Sequence, residues 1–233
     1  MARQSWRWLG LLTLAAGAAA GAAEAPYDSD LFGGLKARAI GPATMSGRIA
    51  SIDATAEDPG LIVVGAASGG VWRSTDGGIS FKPIFDEHVQ SIGAVRIDPT
   101  DSKVIWVGTG ESRVRNSVGV GAGVFVSRDG GDSFKPAGLA QTERVAELLV
   151  SPQDANTVFV CATGGAWRGN PERGVYRSRD GGEQWELVLH VDDDTGCSDL
   201  AMDPSNPNVL YAGMWTYRRY PDFFTSGGAG SGL

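Results

Sequence analysis

"SRDGGDSF", residues Ser127 to Phe134, gathers an aspartate, two glycines, a basic neighbour and an aromatic in one short stretch, the composition of a catalytic loop. The same octet returns as "STDGGISF" at Ser74 to Phe81 and as "SRDGGEQW" at Ser178 to Trp185. Its aspartates, Asp76, Asp129 and Asp180, stand 53 and 51 residues apart. A single active site does not recur at a near-constant period, whereas a structural unit does. Asp followed by Gly-Gly supplies a tight hairpin, because glycine reaches positive φ without steric cost and the carboxylate accepts hydrogen bonds from turn N–H groups. The octet positions Ser74, Asp76, Gly78 and Phe81, Ser127, Asp129, Gly131 and Phe134, and Ser178, Asp180, Gly182 and Trp185 are therefore read as structural. The closing aromatic is expected to re-enter the sheet and pack into the core of its own blade. A calcium loop is the poorer reading, since no octet offers more than two carboxylates against the roughly six oxygen ligands calcium takes.

Working outward, the rest of the chain keeps step with the octets. "RIDPTDSKVIWVGTG" at Arg96, "LVSPQDANTVFVCATG" at Leu149 and "AMDPSNPNVLYAGMW" at Ala201 each set a proline turn before an apolar run, and Pro99, Pro152 and Pro204 are 53 and 52 residues apart. Within the second unit four short strands are expected, at Ile92 to Asp98, Lys103 to Gly110, Gly123 to Asp129 and Asp132 to Gly138. Each is rich in β-branched and aromatic residues and bounded by Gly, Pro, Asp or Asn. Four antiparallel strands in about 50 residues is the plan of a propeller blade. The expected fold is all-β, a β-propeller with blades at about 48–85, 91–139 and 145–190 and a partial one at 198–233 holding two strands. Three and a half blades leave an incomplete ring, so the chain reads as the N-terminal part of a longer propeller whose remaining blades lie downstream.

Glycine, at 34 of 233 residues, is about twice its usual share of roughly 7%, consistent with many tight turns. Residues 1–25 have the layout of a signal peptide, with Arg3 and Arg7 ahead of an apolar run from Leu9 to Ala23, and residues 26–233 form the propeller segment. The expected location is secreted or periplasmic, with no membrane association after cleavage. Without Arg3 and Arg7 the formal charge goes from −7 to −9, and no basic cluster exceeds "YRRY" at Tyr217 to Tyr220, so nucleic acid is not an expected partner. In an oxidising compartment Cys161 and Cys197 are candidates for one disulfide; two buried free thiols are the alternative, because Cys161 sits inside an apolar run. His88 and His190 lack metal-ligand spacing, and neither a metal nor a cofactor is expected.

In three in-register copies the octet resembles the Asp-box, or BNR repeat, of sialidases, sortilin-like (Vps10-type) receptors and xyloglucan-acting glycoside hydrolases. The nearest likeness is to sortilin-like, glycosyl-hydrolase-like BNR proteins, carried by "GTGESRVRNSVGVGAGVF", "GGAWRGNPERGVYRS" and "MWTYRRYPDFFTSGGAGSGL". It implies a propeller with its octets at the outer edge of the blades and a role in binding or in polysaccharide hydrolysis; assembly-factor propellers of plastids and cyanobacteria carry such repeats too.

Those three stretches occupy the long connection between second and third strands, so they are expected to emerge on one face. Candidate ligand-binding residues there are Glu111, Arg115, Asn116, Trp167, Asn170, Arg173, Trp215, Arg218 and Arg219. Aromatic and guanidinium groups on loops held by a rigid scaffold suit sugar rings, carboxylates or peptide segments. The competing structural reading is that Trp167 and Trp215 cover blade ends while Glu111 pairs with an arginine. The expected function is binding of a glycan or a peptide/protein ligand; the alternative is a xyloglucanase- or sialidase-like hydrolase. Hydrolysis needs two carboxyl groups about 5–10 Å apart; Glu111 is one candidate on this face, the run Asp192, Asp193 and Asp194 reads rather as a solvated turn, and the partner is unassigned.

Overall fold

A computed structural model describes residues 48–115 and 118–233. The chain divides into two units, 1–41 and 42–233, and every described residue belongs to the second. Residues 1–25, read above as a signal peptide, and Asn116 lie outside the described residues.

Among the described residues, fifteen strands form four antiparallel sheets. The first holds β1 (Ile49–Ala54), β2 (Ile62–Ala66), β3 (Gly70–Ser74) and β4 (Lys82–Pro83); the second β5 (Ile92–Asp98), β6 (Asp101–Thr109), β7 (Val124–Ser127) and β8 (Lys135–Pro136). The third holds β9 (Val145–Ser151), β10 (Asp154–Ala162), β11 (Gly174–Ser178) and β12 (Glu186–Leu189). The fourth has three strands, β13 (Thr195–Asp203), β14 (Asn206–Arg219) and β15 (Phe224–Ser226). These are four blades of a β-propeller, with the first strands β1, β5, β9 and β13 innermost and packed consecutively against one another. The fourth strand of the second blade is only Lys135–Pro136, shorter than the sequence indicated, although main-chain hydrogen bonds to Val124 continue through Ala137 and Gly138.

The uninterrupted apolar runs of the second strands follow from burial on both faces. Along β6, Ile105 and Val107 join a core with Val63, Val71 and Phe85 of the first blade. Their neighbours Val104 and Trp106 join another with Leu148, Val158 and Val160 of the third. The two-residue alternation of a strand thus sends successive side chains to opposite blade interfaces. The same split along β10 sends Phe159 and Cys161 toward Leu200 and Met214 of the fourth blade.

Each octet closes a β3–β4-type hairpin. Ser127 is buried, and its hydroxyl donates to Asp129 Oδ1 at 2.7 Å while accepting the Gly131 N–H at 2.8 Å. Asp129 in turn accepts the Ser133 N–H at 2.9 Å. Gly130 and Gly131 sit at φ 78° and 94°, where a side chain would be strained. Ser74–Asp76–Gly78 and Ser178–Asp180–Gly182 repeat the pattern. The aromatic does not stay in its own blade, however. Phe134 meets Phe85 of the preceding blade edge-on at 5.0 Å, and the Trp185 indole donates to Ala137 O of the second blade at 2.6 Å. Phe81, in the first octet, remains 40% exposed. Arginines link the turns onward, Arg73 to Gly130 O and Arg128 to Gly181 O. The octet is therefore a staple between blades as well as a turn.

Two outcomes are expected. Ser127→Ala leaves the buried Gly131 N–H without its partner and should cost about 1–3 kcal/mol in urea denaturation. Acid should also weaken the fold through the octet aspartates. Hydrogen bonds from Ser80 hold the Asp76 carboxyl at about 2; Ser133 and Ser127 hold Asp129 below the usual range, and Gln184 and Ser178 do so for Asp180. These folded values lie below the unfolded value of about 4, so the contribution is complete above about pH 4 and lost as pH falls through the folded values, near 2 for Asp76. The urea midpoint should fall between pH 5 and 2, and replacing the aspartates by asparagine should flatten that decline.

Candidate functional site: the loop-face mouth of the axis

The innermost strands share one irregularity. In each, the register slips by a residue near its start, at Ala50, Gly93, Ala146 and Ser198. A bulge turns the strand and re-aims the side chains beside it. The bulged residues are small because the strands converge there; a Cβ on Gly93 would lie 1.9 Å from Val145 O. All four line a cleft of about 460 Å³, with Ser51, Glu111, Arg113, Arg115, Glu147, Asp199 and Trp215. It opens on the face carrying the second-to-third strand connections. The octet turns lie at the opposite end, where Gly77, Gly130 and Gly181 N–H groups bond carbonyls of the first-to-second or second-strand termini at Gly60, Lys103 and Asn156.

Glu111 is 1% exposed and forms an ion pair with Arg48 of the first blade; its N–H donates to Ser91 Oγ at 3.0 Å. The Arg48 guanidinium is held below its ordinary pKa by burial and by the positive charges of Arg115 and Arg113. Glu147 is tied to Arg96 at 2.7 Å, and Arg96 also reaches Asp53, joining three inner strands. Arg113, Arg115, Ser198 and Asp199 are exposed or partly so, with the charged three in no ion pair among the described residues.

The third and fourth blades give a different result from the one their residue types suggested. Arg173 is fully buried: its guanidinium donates to Asn170 Oδ1, Asp194 O, Tyr217 O, Gly165 O and Arg168 O. Asn170 is buried as well and receives the Gly165 N–H at 3.0 Å. Both shape a connection rather than face a ligand, because every polar atom that would meet one is already bonded to protein. Arg218 pairs with Asp194, and Arg219 lies 5.4 Å over the Phe224 ring. Trp167 is 52% exposed on the same face but is absent from the cleft lining.

Trp215, Arg218 and Arg219 were expected on a loop, with two strands in the blade. They occupy the end of β14, which continues past the sheet and pairs with β15 through Tyr217↔Ser226, Arg218↔Thr225 and Arg219↔Phe224. The connection is thus a hairpin, and Met214 bridges Gly232 where other blades pair their third strand. Trp215 stacks on Tyr217 at 4.4 Å, and the Arg173 guanidinium lies 4.4 Å from the centroid of the Tyr217 ring. Burial raises the Tyr217 pKa, and its hydroxyl donates to Gly164 O at 2.9 Å. Behind the cleft wall, Cys161 and Cys197 form a disulfide with Cα atoms 5.1 Å apart, joining the third and fourth blades.

Sequence reasoning missed Arg48, Glu147, Ser198 and Asp199. One signal was present, since small residues recur at Gly93, Ala146 and Ser198 with intervals of 53 and 52, matching the repeat. It has no meaning until the first strand of each unit is known to be innermost.

Fold and site together define a β-propeller with a polar cleft at one mouth of its axis. The Sortilin-Vps10 model, described as sortilin, neurotensin receptor 3, matches residues 69–212, more than half of the chain. The chain belongs to that family. Among solved structures, an ancestral GH74 enzyme is similar at 23% identity and TM-score 0.54, over 77% of this chain and 25% of its own. The GH74 enzyme of Niastella koreensis is similar at 17% identity and TM-score 0.51, over 72% of this chain and 28% of its own. These identities speak to fold. This chain spans about a quarter of the length of either enzyme. No curated protein sequence matches it.

Proposed function

We propose that this chain is part of an exported propeller that binds a glycan or a peptide/protein ligand at the loop-face mouth of the axis. One observation carries the reading: the cleft brings an indole, exposed guanidinium groups and an exposed carboxylate from different blades onto a scaffold of inner strands. Such a concave site with a few convergent polar groups is the default for ligand recognition. Export rests on the composition of residues 1–25, and the location proposed is secreted or periplasmic.

A second reading, hydrolysis of polysaccharide, is favoured by the exposed Asp199 carboxylate in one cleft with Glu147, which is partly exposed though paired with Arg96. Glu111 is a poor acid or base, since it is buried in an ion pair. A glycan and peptide array screen, run beside a reducing-sugar release assay on the same samples, separates the two. Binding without release supports recognition; release of sugar sinks a pure binding role.

Trp167→Ala combined with Trp215→Ala is expected to abolish array binding while the far-ultraviolet circular dichroism stays that of the parent. Trp215→Ala alone should account for most of the loss, because only Trp215 lines the cleft. Unfolding of the double variant would instead make these side chains packing elements.

A further inference from the structure

Charges around the cleft are unevenly distributed. On the side built by the first two blades, Arg48, Arg113 and Arg115 gather about a single carboxylate, Glu111, which is buried against Arg48. That side carries an excess of positive charge, and its two exposed members, Arg113 and Arg115, have no carboxylate partner among the described residues. Across the cleft the fourth blade presents Trp215, the Ser198 hydroxyl and the exposed Asp199 carboxylate. One face of the Trp215 indole is covered by Tyr217, itself clamped by buried Arg173, so the ring is held in a single orientation at the cleft wall.

We infer that the cleft recognises a carboxylate-bearing sugar ring, a uronic acid unit of an acidic polysaccharide, with its carboxylate on Arg113 and Arg115 and its ring against Trp215. This rests on the binding reading above. Guanidinium groups pair with a carboxylate through charge-assisted hydrogen bonds. An indole face offers apolar area to the C–H face of a pyranose. Asp199 decides between ligand classes. Ring hydroxyls are donors that the Asp199 carboxylate accepts, which the side chains of an acidic peptide do not offer, and a basic peptide would be repelled by Arg113 and Arg115.

The test is titration calorimetry of the full chain with trigalacturonate, its methyl ester and a tetraglutamate peptide. Trigalacturonate should bind about tenfold or more tighter than the ester, the scale of a lost hydrogen bond to a charged group. Arg113→Gln with Arg115→Gln should erase that preference while weak binding of the ester persists, and Trp215→Leu should weaken both saccharides. Both arginines are exposed, so the double variant should keep its parent's thermal midpoint. Equal affinity for acid and ester overturns the inference. So does tighter binding of tetraglutamate, which leaves the binding reading standing. If the folded parent binds none of the three and the array is also blank, both fall together.

Discussion

Replacing Arg173 with alanine is expected to destabilise the protein by about 3–5 kcal/mol in equilibrium denaturation. The side chain is fully buried and supplies donors to five acceptors, four of them main-chain carbonyls drawn from the 163–173 connection, the turn at Asp194 and β14. Alanine leaves those acceptors buried without partners and opens a cavity against the Tyr217 ring. Arg173→Lys should recover only part of the loss, because an ammonium cannot present the planar fork that reaches Gly165 O and Asp194 O together. Trp215 should lose its fixed orientation as well, seen as a red-shifted tryptophan emission from the folded variant. An alanine variant within about 1 kcal/mol of the parent would show that the guanidinium is not the clamp described here.

Reduction of Cys161–Cys197 is expected to have the next largest effect. The bridge closes a loop of 36 residues, and its removal releases unfolded-state entropy worth about 3–4 kcal/mol. It also joins the second strand of one blade to the innermost strand of the next, so its loss should act at that interface first. Amide hydrogen exchange should rise most in β13 and β14, and ligand affinity should fall, since Ser198 and Asp199 follow Cys197 directly. Cys161→Ala with Cys197→Ala should match the reduced parent. A reduced protein with an unchanged denaturation midpoint would mean that packing of Phe159, Val175 and Met214 holds the two blades by itself.

The repeat was legible because its cause is local. A tight turn needs glycine at positive φ and an acceptor for its N–H groups, and Ser127, Asp129, Gly130 and Gly131 meet that need within five residues. The buried second strands were legible for a similar reason, as runs such as "VIWVG". The destination of each side chain along those runs was hidden. Nothing local distinguishes Ile105 from Trp106, yet one packs on the first blade and the other on the third. Nor did composition separate Arg173 from Arg115: both sit in glycine-rich connections, and only the neighbouring strands make one an internal brace and leave the other exposed.

The sequence by itself determined the repeating unit, its turns and strands, and therefore the propeller plan, since these depend on φ/ψ preference and on alternation along one strand. The tertiary structure decided that Phe134 and Trp185 reach the preceding blade, that Asn170 and Arg173 are internal, and that Trp215 stands on a hairpin. It also decided that small residues at Ala50, Gly93, Ala146 and Ser198 open a cleft where four inner strands meet. The physical reason is separation along the chain. A turn is settled within a few residues, whereas the charge, burial and exposure of a cleft residue are set by partners one or more blades away.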